Sequence, residues 1–250
     1  MNRIRKRDLL KVLIRSFYIQ SAWNFERMLG LGLCFCLIPI ARRLYTTDEE
    51  VKDFLKRHLE FFNAHPYMAS FALGSISRLE EQSITQNWKD KKPISIFKHR
   101  MMGPLGALGD SLFWKSVKPL ASASGLILTI YFGITGVIAF LIIYNFPHIY
   151  YRIMGIHLGY KKGFDIIRDL SIRGTQKYFK ILNYIIAAAT GILLIVLCDH
   201  SIHSEYGYKG LFLFLLVVAI SIPLTFKRKI TIELMIIITL ILSITIGLII

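Results

Sequence analysis

The sequence is poor in acidic residues: among its 250 residues, 31 are Lys or Arg and only 16 are Asp or Glu, a formal net charge of +15. Such an excess of positive charge suits either nucleic acid or an anionic membrane surface as a partner. The basic residues, however, gather at the ends of apolar runs, as they do in cytoplasmic loops of membrane proteins. They are not interleaved with aromatic residues as a groove for single-stranded nucleic acid requires. The charge pattern therefore favours a lipid bilayer and argues against nucleic acid.

Cysteine is also scarce, and Cys34, Cys36 and Cys198 all lie in apolar runs. Their spacing matches no zinc site, so we expect small buried hydrophobic residues and no metal. The sequence lacks a Walker A loop, a nucleophile elbow and the kinase motifs. No histidine has a companion acid pattern that would identify it as a catalytic group. We therefore expect no cofactor and no catalytic residue. The basic N-terminus has no long apolar core, which excludes a signal peptide.

Long apolar runs, by contrast, are abundant, and hydrophobic residues make up 54% of the chain. Four of these runs carry no charged residue: 119–146, 181–198, 210–226 and 234–250. Their lengths suit helices that cross a hydrocarbon core of about 30 Å, so we predict transmembrane helices in residues 119–250. The first run is too long for one upright helix at about 1.5 Å per residue. Gly125, Gly133 and Gly136 are candidate points for a break.

Charge asymmetry predicts how these helices are oriented. Residues 148–180 carry seven Lys or Arg and two Asp, which predicts a cytoplasmic location. The connector 199–209 has one Lys and is expected outside the cell. Lys227, Arg228 and Lys229 return the chain to the cytoplasm. The alternation is consistent with a multi-pass protein in the cell membrane of a bacterium.

The first 118 residues have a different pattern, with apolar runs too short to cross a bilayer comfortably. These runs are residues 28–40, 67–76 and 101–114. Their lengths suit re-entrant or broken helices buried in protein. Residues 48–63 show apolar side chains at helical spacing, after a capping box of Thr47 and Glu50. They predict an amphipathic helix whose polar face lies at the membrane surface.

The predicted fold class is therefore all-α, a polytopic integral membrane protein. No internal repeat divides the sequence, so we predict one membrane domain over residues 1–250. Within it, residues 1–118 would form the short broken or re-entrant helices and residues 119–250 the transmembrane helices.

Polar residues are concentrated at residues 21–28, directly before an apolar run. Trp23, Asn24, Glu26 and Arg27 lie in this stretch. Trp and Arg are typical of the membrane interface, so simple anchoring explains them. Alternatively, Asn24 and Glu26 hydrogen-bond the hydroxyl groups of a sugar, because an ionisable group near membrane depth needs a partner or a function.

A second polar concentration spans residues 58–67 and includes His58, Glu60, Asn63 and His65. A solvated helix end explains it as well as a cluster that faces a polar substrate. Metal binding is a weaker alternative, because the histidines lack the spacing of a metal-binding helix.

Residues 101–114 place Gly103, Gly106, Gly109, Pro104 and Asp110 inside an apolar run. Glycine permits an unwound backbone and proline frees a carbonyl. Within a membrane, irregular backbone persists only where it is buried in protein or lines a cavity, as at transporter binding sites. Close packing of helices through small residues is the alternative, although packing alone does not need the carboxylate of Asp110.

Together these stretches resemble the IID subunit of the mannose/fructose/sorbose family of phosphotransferase systems. The segments that carry the resemblance are SAWNFERMLGLGLCFCLIPIARRLY, RHLEFFNAHPY and GPLGALGDSLFW, and their order and spacing match over about residues 16–118. Residues 159–170 extend it more weakly. Ser111 stands where family members often have Pro or Ala, and the connector 199–209 is shorter than is usual in the family.

The resemblance implies a function. In that family, IIC and IID form the membrane part and share the sugar pathway, while cytoplasmic IIA and IIB subunits relay phosphate from phosphoenolpyruvate through histidines. The membrane subunits carry no phosphorylated residue, so the chain would be a permease subunit within a hetero-oligomer that imports mannose, fructose, sorbose, N-acetylgalactosamine or a similar sugar.

We expect five residues to line the sugar pathway: Asn24, Glu26, Asn63, Gly103 and Asp110. Two other classes stay open, an uncoupled transporter or channel subunit and a structural or receptor subunit that a bacteriocin or phage exploits.

Overall fold

The computed structural model describes residues 3–170, 181, 184–193 and 196. By its contacts the chain divides into two units, Met1–Thr190 and Gly191–Ile250, and the geometry below belongs to the first. The predicted spans 210–226 and 234–250 and the connector 199–209 lie outside the described residues. Of the predicted span 181–198, the structure describes a short apolar helix at Tyr184–Leu193.

Helices account for most of the described chain. In order they are α1 (Lys6–Ser16), α2 (Gly30–Leu44), α3 (Asp48–His58), α4 (Ala69–Thr85), α5 (Lys92–Gly109), a π-helical segment (Asp110–Val117), α6 (Lys118–Phe132), α7 (Ile134–Lys162), a 3-10 turn (Gly163–Asp165) and α8 (Ile166–Asp169). The part of the chain that the structure describes contains isolated β-bridges but no strand. The predicted all-helical fold is confirmed there.

The core is built mainly from α2, α4 and α5, and α7 packs closely against α4. On α4, 13 of its residues are buried, including Ser70 and Ser75. The hydroxyl group of Ser70 donates to the carbonyl of Tyr151 at 3.1 Å, and that of Ser75 donates to the carbonyl of Gly159 at 3.2 Å. Small residues let the two backbones approach closely enough for these bonds. Residues of both predicted halves therefore share one core.

The long uncharged run at 119–146 breaks at Gly133, one of the three predicted points. Its φ of +56° lies in a region that L-residues with a side chain rarely adopt. Gly125 and Gly136 have another role: a Cβ on Gly125 would lie 2.6 Å from Cβ of Phe140, and one on Gly136 would collide with the backbone of Thr129. The run therefore folds into a closely packed antiparallel hairpin of α6 and α7.

The structure corrects the expectation of an unwound backbone at residues 101–114. Residues 101–109 are α-helical, and the wider π-helical turns of Asp110–Val117 connect α5 to α6. The helix continues through Pro104 because proline removes only one backbone N–H donor, and the neighbouring residues keep theirs. π-helical turns inside α-helices are frequent at functional sites.

The predicted amphipathic helix is shorter than expected, because α3 ends at His58 and not at residue 63. Beyond it, the backbone of Phe62 forms a parallel bridge with that of Met28, which a helix would not allow. The predicted capping box is present: the Glu50 N–H donates to Thr47 Oγ1, and the Thr47 N–H donates to Glu50 Oε2, both at 3.3 Å.

By length and composition, the stretch Ile134–Asp169 is long and apolar enough to cross a membrane, and it is the one such helix among the described residues. It includes residues 148–162, which belong to the segment that charge alone predicts to be cytoplasmic. The number of spans and their orientation stay predictions.

Candidate functional site

The first two polar stretches lie side by side. The Leu29 N–H donates to the carbonyl of Phe62 at 2.9 Å, and the Phe62 N–H donates to the carbonyl of Arg27 at 3.3 Å. The guanidinium group of Arg27 also donates to the carbonyl of Leu59, at 3.4 Å. These bonds connect residues 24–29 to residues 59–62 across the start of α2.

Asn24 closes the turn that precedes this pairing. Its side-chain oxygen accepts a hydrogen bond from the Arg27 N–H at 2.8 Å, and its carbonyl accepts from the Met28 N–H at 2.8 Å. Glu26 is exposed and lies 3.4 Å from the Arg27 guanidinium. The Asn24 amide therefore has a structural partner, whereas the Glu26 carboxylate faces outward.

The second polar stretch also contacts α5. The Asn63 N–H lies 3.1 Å from the sulfur of Met102, and the Lys98 ammonium group donates to Glu60 at 2.6 Å. The side chain of Lys98 is completely buried, while that of Glu60 is partly exposed. Burial raises the pKa of Glu60, but Lys98 outweighs this effect and holds the pKa below its usual value. This ion pair fixes residues 60–63 next to the turn of α5 that carries Gly103.

Gly103 and Asp110 lie on the exposed side of α5 and of the π-helical segment. A Cβ on Gly103 would meet nothing within 4 Å, so this glycine makes no close approach within the described chain. The side chain of Asp110 forms no hydrogen bond or ion pair to another described residue, and it follows Gly109, which packs directly against His65. Asp110 is thus a free carboxylate at the start of the π-helical turns.

Among the predicted site residues, Asn24, Glu26, Asn63 and Gly103 belong to segments that contact one another. Asp110 lies further along the same helix as Gly103, and no direct contact joins it to the other four. Residues 24–29 contact residues 59–62, which in turn contact α5, and whether the five residues bind a substrate stays a prediction.

A cluster of aromatic and polar side chains surrounds His65, which packs against Gly109, the residue before Asp110. His65 stacks on Phe113 with ring centroids 5.0 Å apart, and Tyr67 lies with its ring 4.5 Å from that of His148. The Tyr67 and Tyr144 hydroxyl groups are 3.1 Å apart. In this cluster, Nε2 of His65 and Nδ1 of His148 are buried without a hydrogen-bond partner among the described residues.

Arg152 of α7 extends this cluster toward α1. It is 3% exposed, and its guanidinium group donates to the carbonyl of Ser16 and, at 3.2 Å, to the Ser16 hydroxyl. The sequence analysis missed Arg152 because it used the charges of residues 148–180 only to predict a cytoplasmic location. A signal existed, since Arg152, Gly155 and Gly159 recur at helical spacing on one face.

Sequence reasoning also missed a buried charge cluster centred on Glu80 of α4. The Arg57 guanidinium donates to this carboxylate at 2.9 and 3.1 Å, the His58 imidazole lies 2.7 Å from it, and the Tyr45 hydroxyl donates at 2.5 Å. Burial raises the pKa of Glu80, but the hydrogen bonds and charges of His58 and Arg57 outweigh it and lower the pKa to about 2. Burial lowers the pKa of His58, so a neutral imidazole donates to an ionised Glu80.

This arrangement assigns His58 to the stability of the fold. It bonds to Glu80, while His65 packs among aromatic rings, so the two histidines of the second stretch point to different places. No group of three His, Cys, Asp or Glu side chains within the described chain is placed to hold a metal ion.

The exposed side chains around the site are suited to polar recognition beside apolar surface. Glu26 and Asp110 offer carboxylates, Asn63 offers an amide, and the rings of Trp23 and Trp114 are 49% and 47% exposed. Carboxylates and amides accept and donate hydrogen bonds to hydroxyl groups, and aromatic rings offer flat apolar faces. These side chains are therefore suited to binding a polar molecule.

Comparison with known proteins identifies the family of the chain. The family model described as "PTS system mannose/fructose/sorbose family IID component" matches residues 3–207. The mannose-specific EIID component of Escherichia coli (strain K12) is 38% identical over 70% of this chain and 62% of its own length. The fructose permease IID component of Bacillus subtilis (strain 168) is 33% identical, over 70% of this chain and 64% of its own length. The chain thus matches less than two thirds of the length of these relatives.

Two solved structures share the fold. One, described as "Structure of membrane protein", is 27% identical with a TM-score of 0.77 and covers 97% of this chain and 96% of its own. The other is a chain of the mannose transporter ManYZ in complex with microcin E492, 29% identical with a TM-score of 0.63, over 98% of this chain and 97% of its own. With a family model that matches most of its residues, the chain belongs to the mannose/fructose/sorbose family of phosphotransferase system IID components, which are membrane permease subunits.

Proposed function

We propose that the chain is the IID membrane subunit of a phosphoenolpyruvate-dependent sugar phosphotransferase system. In this role it translocates a hexose-type sugar together with a IIC partner, and a IIB subunit phosphorylates the sugar as it emerges. The chain supplies part of the sugar pathway and no catalytic residue of its own.

The observation that carries the proposal is the meeting of the three polar stretches. Backbone hydrogen bonds connect residues 24–29 to residues 59–62, and the Glu60–Lys98 ion pair connects the latter to α5. Each stretch thus contacts the next, and together they carry two carboxylates, an amide and exposed aromatic rings. A sugar with several hydroxyl groups is the substrate class that such groups recognise.

The pathway residues are proposed as Asn24, Glu26, Asn63, Gly103 and Asp110. Glu26 and Asp110 are exposed carboxylates that would accept hydrogen bonds from sugar hydroxyls, and Asn63 would donate and accept. Asn24 would act mainly by holding the turn that carries Glu26, since its oxygen already bonds to Arg27. The bare surface at Gly103 would admit the sugar or the partner subunit.

The proposed partners are a IIC membrane subunit and cytoplasmic IIA and IIB subunits, in the cell membrane of a bacterium. The ManYZ complex gives a precedent for assembly with a second membrane subunit. Several side chains at the proposed site are exposed and apolar, among them Phe25 at 84% exposed. Within a multi-pass hetero-oligomer, contact with a membrane partner would cover this apolar surface.

Replacing Asp110 tests the pathway. We expect Asp110→Ala, at a normal protein level and beside its IIC, IIA and IIB partners, to reduce uptake of labelled sugar by about 10- to 100-fold. This range corresponds to the loss of one hydrogen bond to a charged group, worth about 1.5–3 kcal/mol. The measurement is the initial rate of uptake by whole cells for mannose, fructose, sorbose and N-acetylgalactosamine.

The matched control is Asp53→Ala, which removes an exposed carboxylate of α3 whose side chain is 72% exposed. The control should keep wild-type uptake. Normal uptake by Asp110→Ala at normal protein level would remove Asp110 from the pathway.

A receptor role is the second candidate, because one solved relative is bound to microcin E492. In that role the chain would confer sensitivity to a bacteriocin. If deletion of the chain abolished sensitivity but left uptake unchanged, the receptor role would replace the transport role.

A further inference from the structure

A basic cavity lies between α1 and α2, away from the proposed sugar pathway. Its volume is about 470 Å³, and its charged lining consists of four cations and one anion: Lys11, Arg15, Arg42, Arg43 and Asp8. Ile14 and Ile38 supply apolar walls. The cavity is thus positively charged and partly apolar.

Two of the four cations are already engaged. Arg43 donates to the carbonyl of Arg3 at 2.9 Å and lies 3.7 Å from the Asp8 carboxylate. Arg15 donates to the carbonyl of Phe35 at 2.9 Å and lies over its ring at 4.6 Å. Asp8 therefore neutralises Arg43, while the charge of Arg15 has only neutral partners.

Lys11 and Arg42 complete the cavity as exposed cations. Neither side chain forms a hydrogen bond or an ion pair with any residue that the structure describes. Together with Arg15, they leave three positive charges without a carboxylate partner around one cavity. Like charges repel, so this grouping favours an anionic occupant.

An apolar surface adjoins these charges. On α1, Asp8, Val12 and Ser16 face the core, whereas Leu10 and Ile14 are 54% and 55% exposed. Leu10 and Ile14 are four residues apart and occupy one stripe of the helix, and Lys11 and Arg15 occupy the adjacent stripe. One side of α1 is therefore apolar and cationic at once, as in helices that lie in the membrane interface.

We propose that this cavity binds the phosphate headgroup of an anionic phospholipid, whose acyl chains lie along Leu10 and Ile14. A free phosphate would satisfy the charges but would leave the apolar stripe uncovered, and a membrane protein is always exposed to lipid. Basic pockets next to membrane helices are a recurring way to bind anionic headgroups.

The test uses the full chain, purified with whatever subunits accompany it, in neutral detergent micelles. Native mass spectrometry measures the retention of added phosphatidylglycerol, cardiolipin and phosphatidylcholine. We expect the two anionic lipids to bind more tightly than phosphatidylcholine. Each basic side chain near an anionic surface contributes about a fivefold gain in affinity, so Lys11→Gln/Arg42→Gln should weaken phosphatidylglycerol binding by about 20- to 30-fold.

Two further variants exclude trivial explanations. Lys52→Gln/Arg100→Gln removes the same residue types from exposed positions elsewhere and should bind like the wild type. Lys11→Arg/Arg42→Lys keeps the charges and should keep the affinity, which separates loss of charge from misfolding.

Three results would overturn the proposal. One is equal retention of anionic lipid by Lys11→Gln/Arg42→Gln and the wild type. Another is an equal loss in Lys52→Gln/Arg100→Gln. The third is displacement of the lipid by inorganic phosphate at equal concentration, which would indicate a site for a soluble anion.

Discussion

At the scale of single residues, the fold depends on a carboxylate that touches no solvent. Glu80 is 0% exposed and receives hydrogen bonds from Arg57, His58 and Tyr45. Burying a charge is costly unless several partners compensate for it. Arg57 and His58 belong to α3 and Tyr45 to the end of α2, so Glu80 of α4 holds three helices together.

Removing this charge should destabilise the protein in a pH-dependent way. We expect Glu80→Gln to lose about 3–5 kcal/mol of stability at pH 7, because the Arg57 guanidinium, whose side chain is only 12% exposed, then lacks its carboxylate. The pKa of Glu80 is lowered from 4.5 to about 2. A lowered pKa stabilises the fold fully above about pH 4.5, and this contribution is lost as the pH falls toward about 2.

The measurement is the apparent Tm in detergent at pH 7 and at pH 3. The wild type should melt about 10 °C above Glu80→Gln at pH 7, and the difference should shrink at pH 3. Glu49→Gln, a change at an exposed residue of the same α3, should melt like the wild type. A constant difference at both pH values would mean that the charge of Glu80 contributes nothing.

Some residue roles were predictable from the sequence and others were not. The capping box of Thr47 and Glu50 is a local pattern, and the structure confirms it. Glu80 and Arg152 were missed because their partners lie far away in the sequence, Arg57 for one and Ser16 for the other. The burial of a charge is decided by tertiary contacts, which no local pattern records.

At the scale of elements, the α6–α7 hairpin depends on glycine at the contact. Gly136 leaves no room for a Cβ, because the backbone of Thr129 occupies that space. Backbone cannot move aside as a flexible side chain can, so a methyl group must separate the two helices.

We therefore expect Gly136→Ala to destabilise the protein by about 2 kcal/mol, within the range typical of overpacking. Gly106→Ala is the matched control, since a Cβ there meets nothing within 4 Å. It should be neutral or stabilise by about 0.5–1 kcal/mol through helix propensity. Apparent Tm values of both variants test this, and an equal change in the two would contradict close packing at Gly136.

Element types were predicted better than element ends. The break at Gly133 was among the predicted points because a glycine in a long apolar run is a recognisable signal. The end of α3 at His58 was not predicted, since the apolar spacing continues to Phe62. There the pairing of Phe62 with Met28 outweighs helix propensity. The helical backbone of residues 101–109 differs from the predicted unwound backbone, since glycine permits irregular backbone but does not require it.

At the scale of the whole molecule, the chain has the features of one subunit of a larger complex. Residues 24–29 pair with residues 59–62, and the Glu60–Lys98 ion pair joins the latter to α5. A complete sugar site needs groups on all sides, so a second subunit is expected to supply the rest. The sequence motifs predicted the subunit type, which the family comparison confirms, and the sugar pathway stays a proposal.

The most direct test of the central claim is the chemical form in which sugar enters the cell. The experiment uses a bacterial strain that lacks its own mannose-family membrane subunits. This strain expresses the IIA, IIB and IIC partners with or without this chain. We predict that labelled sugar accumulates as sugar phosphate only when the chain is present, and that this accumulation depends on phosphoenolpyruvate. Accumulation of free sugar, or of sugar phosphate at the same rate without the chain, would contradict the account.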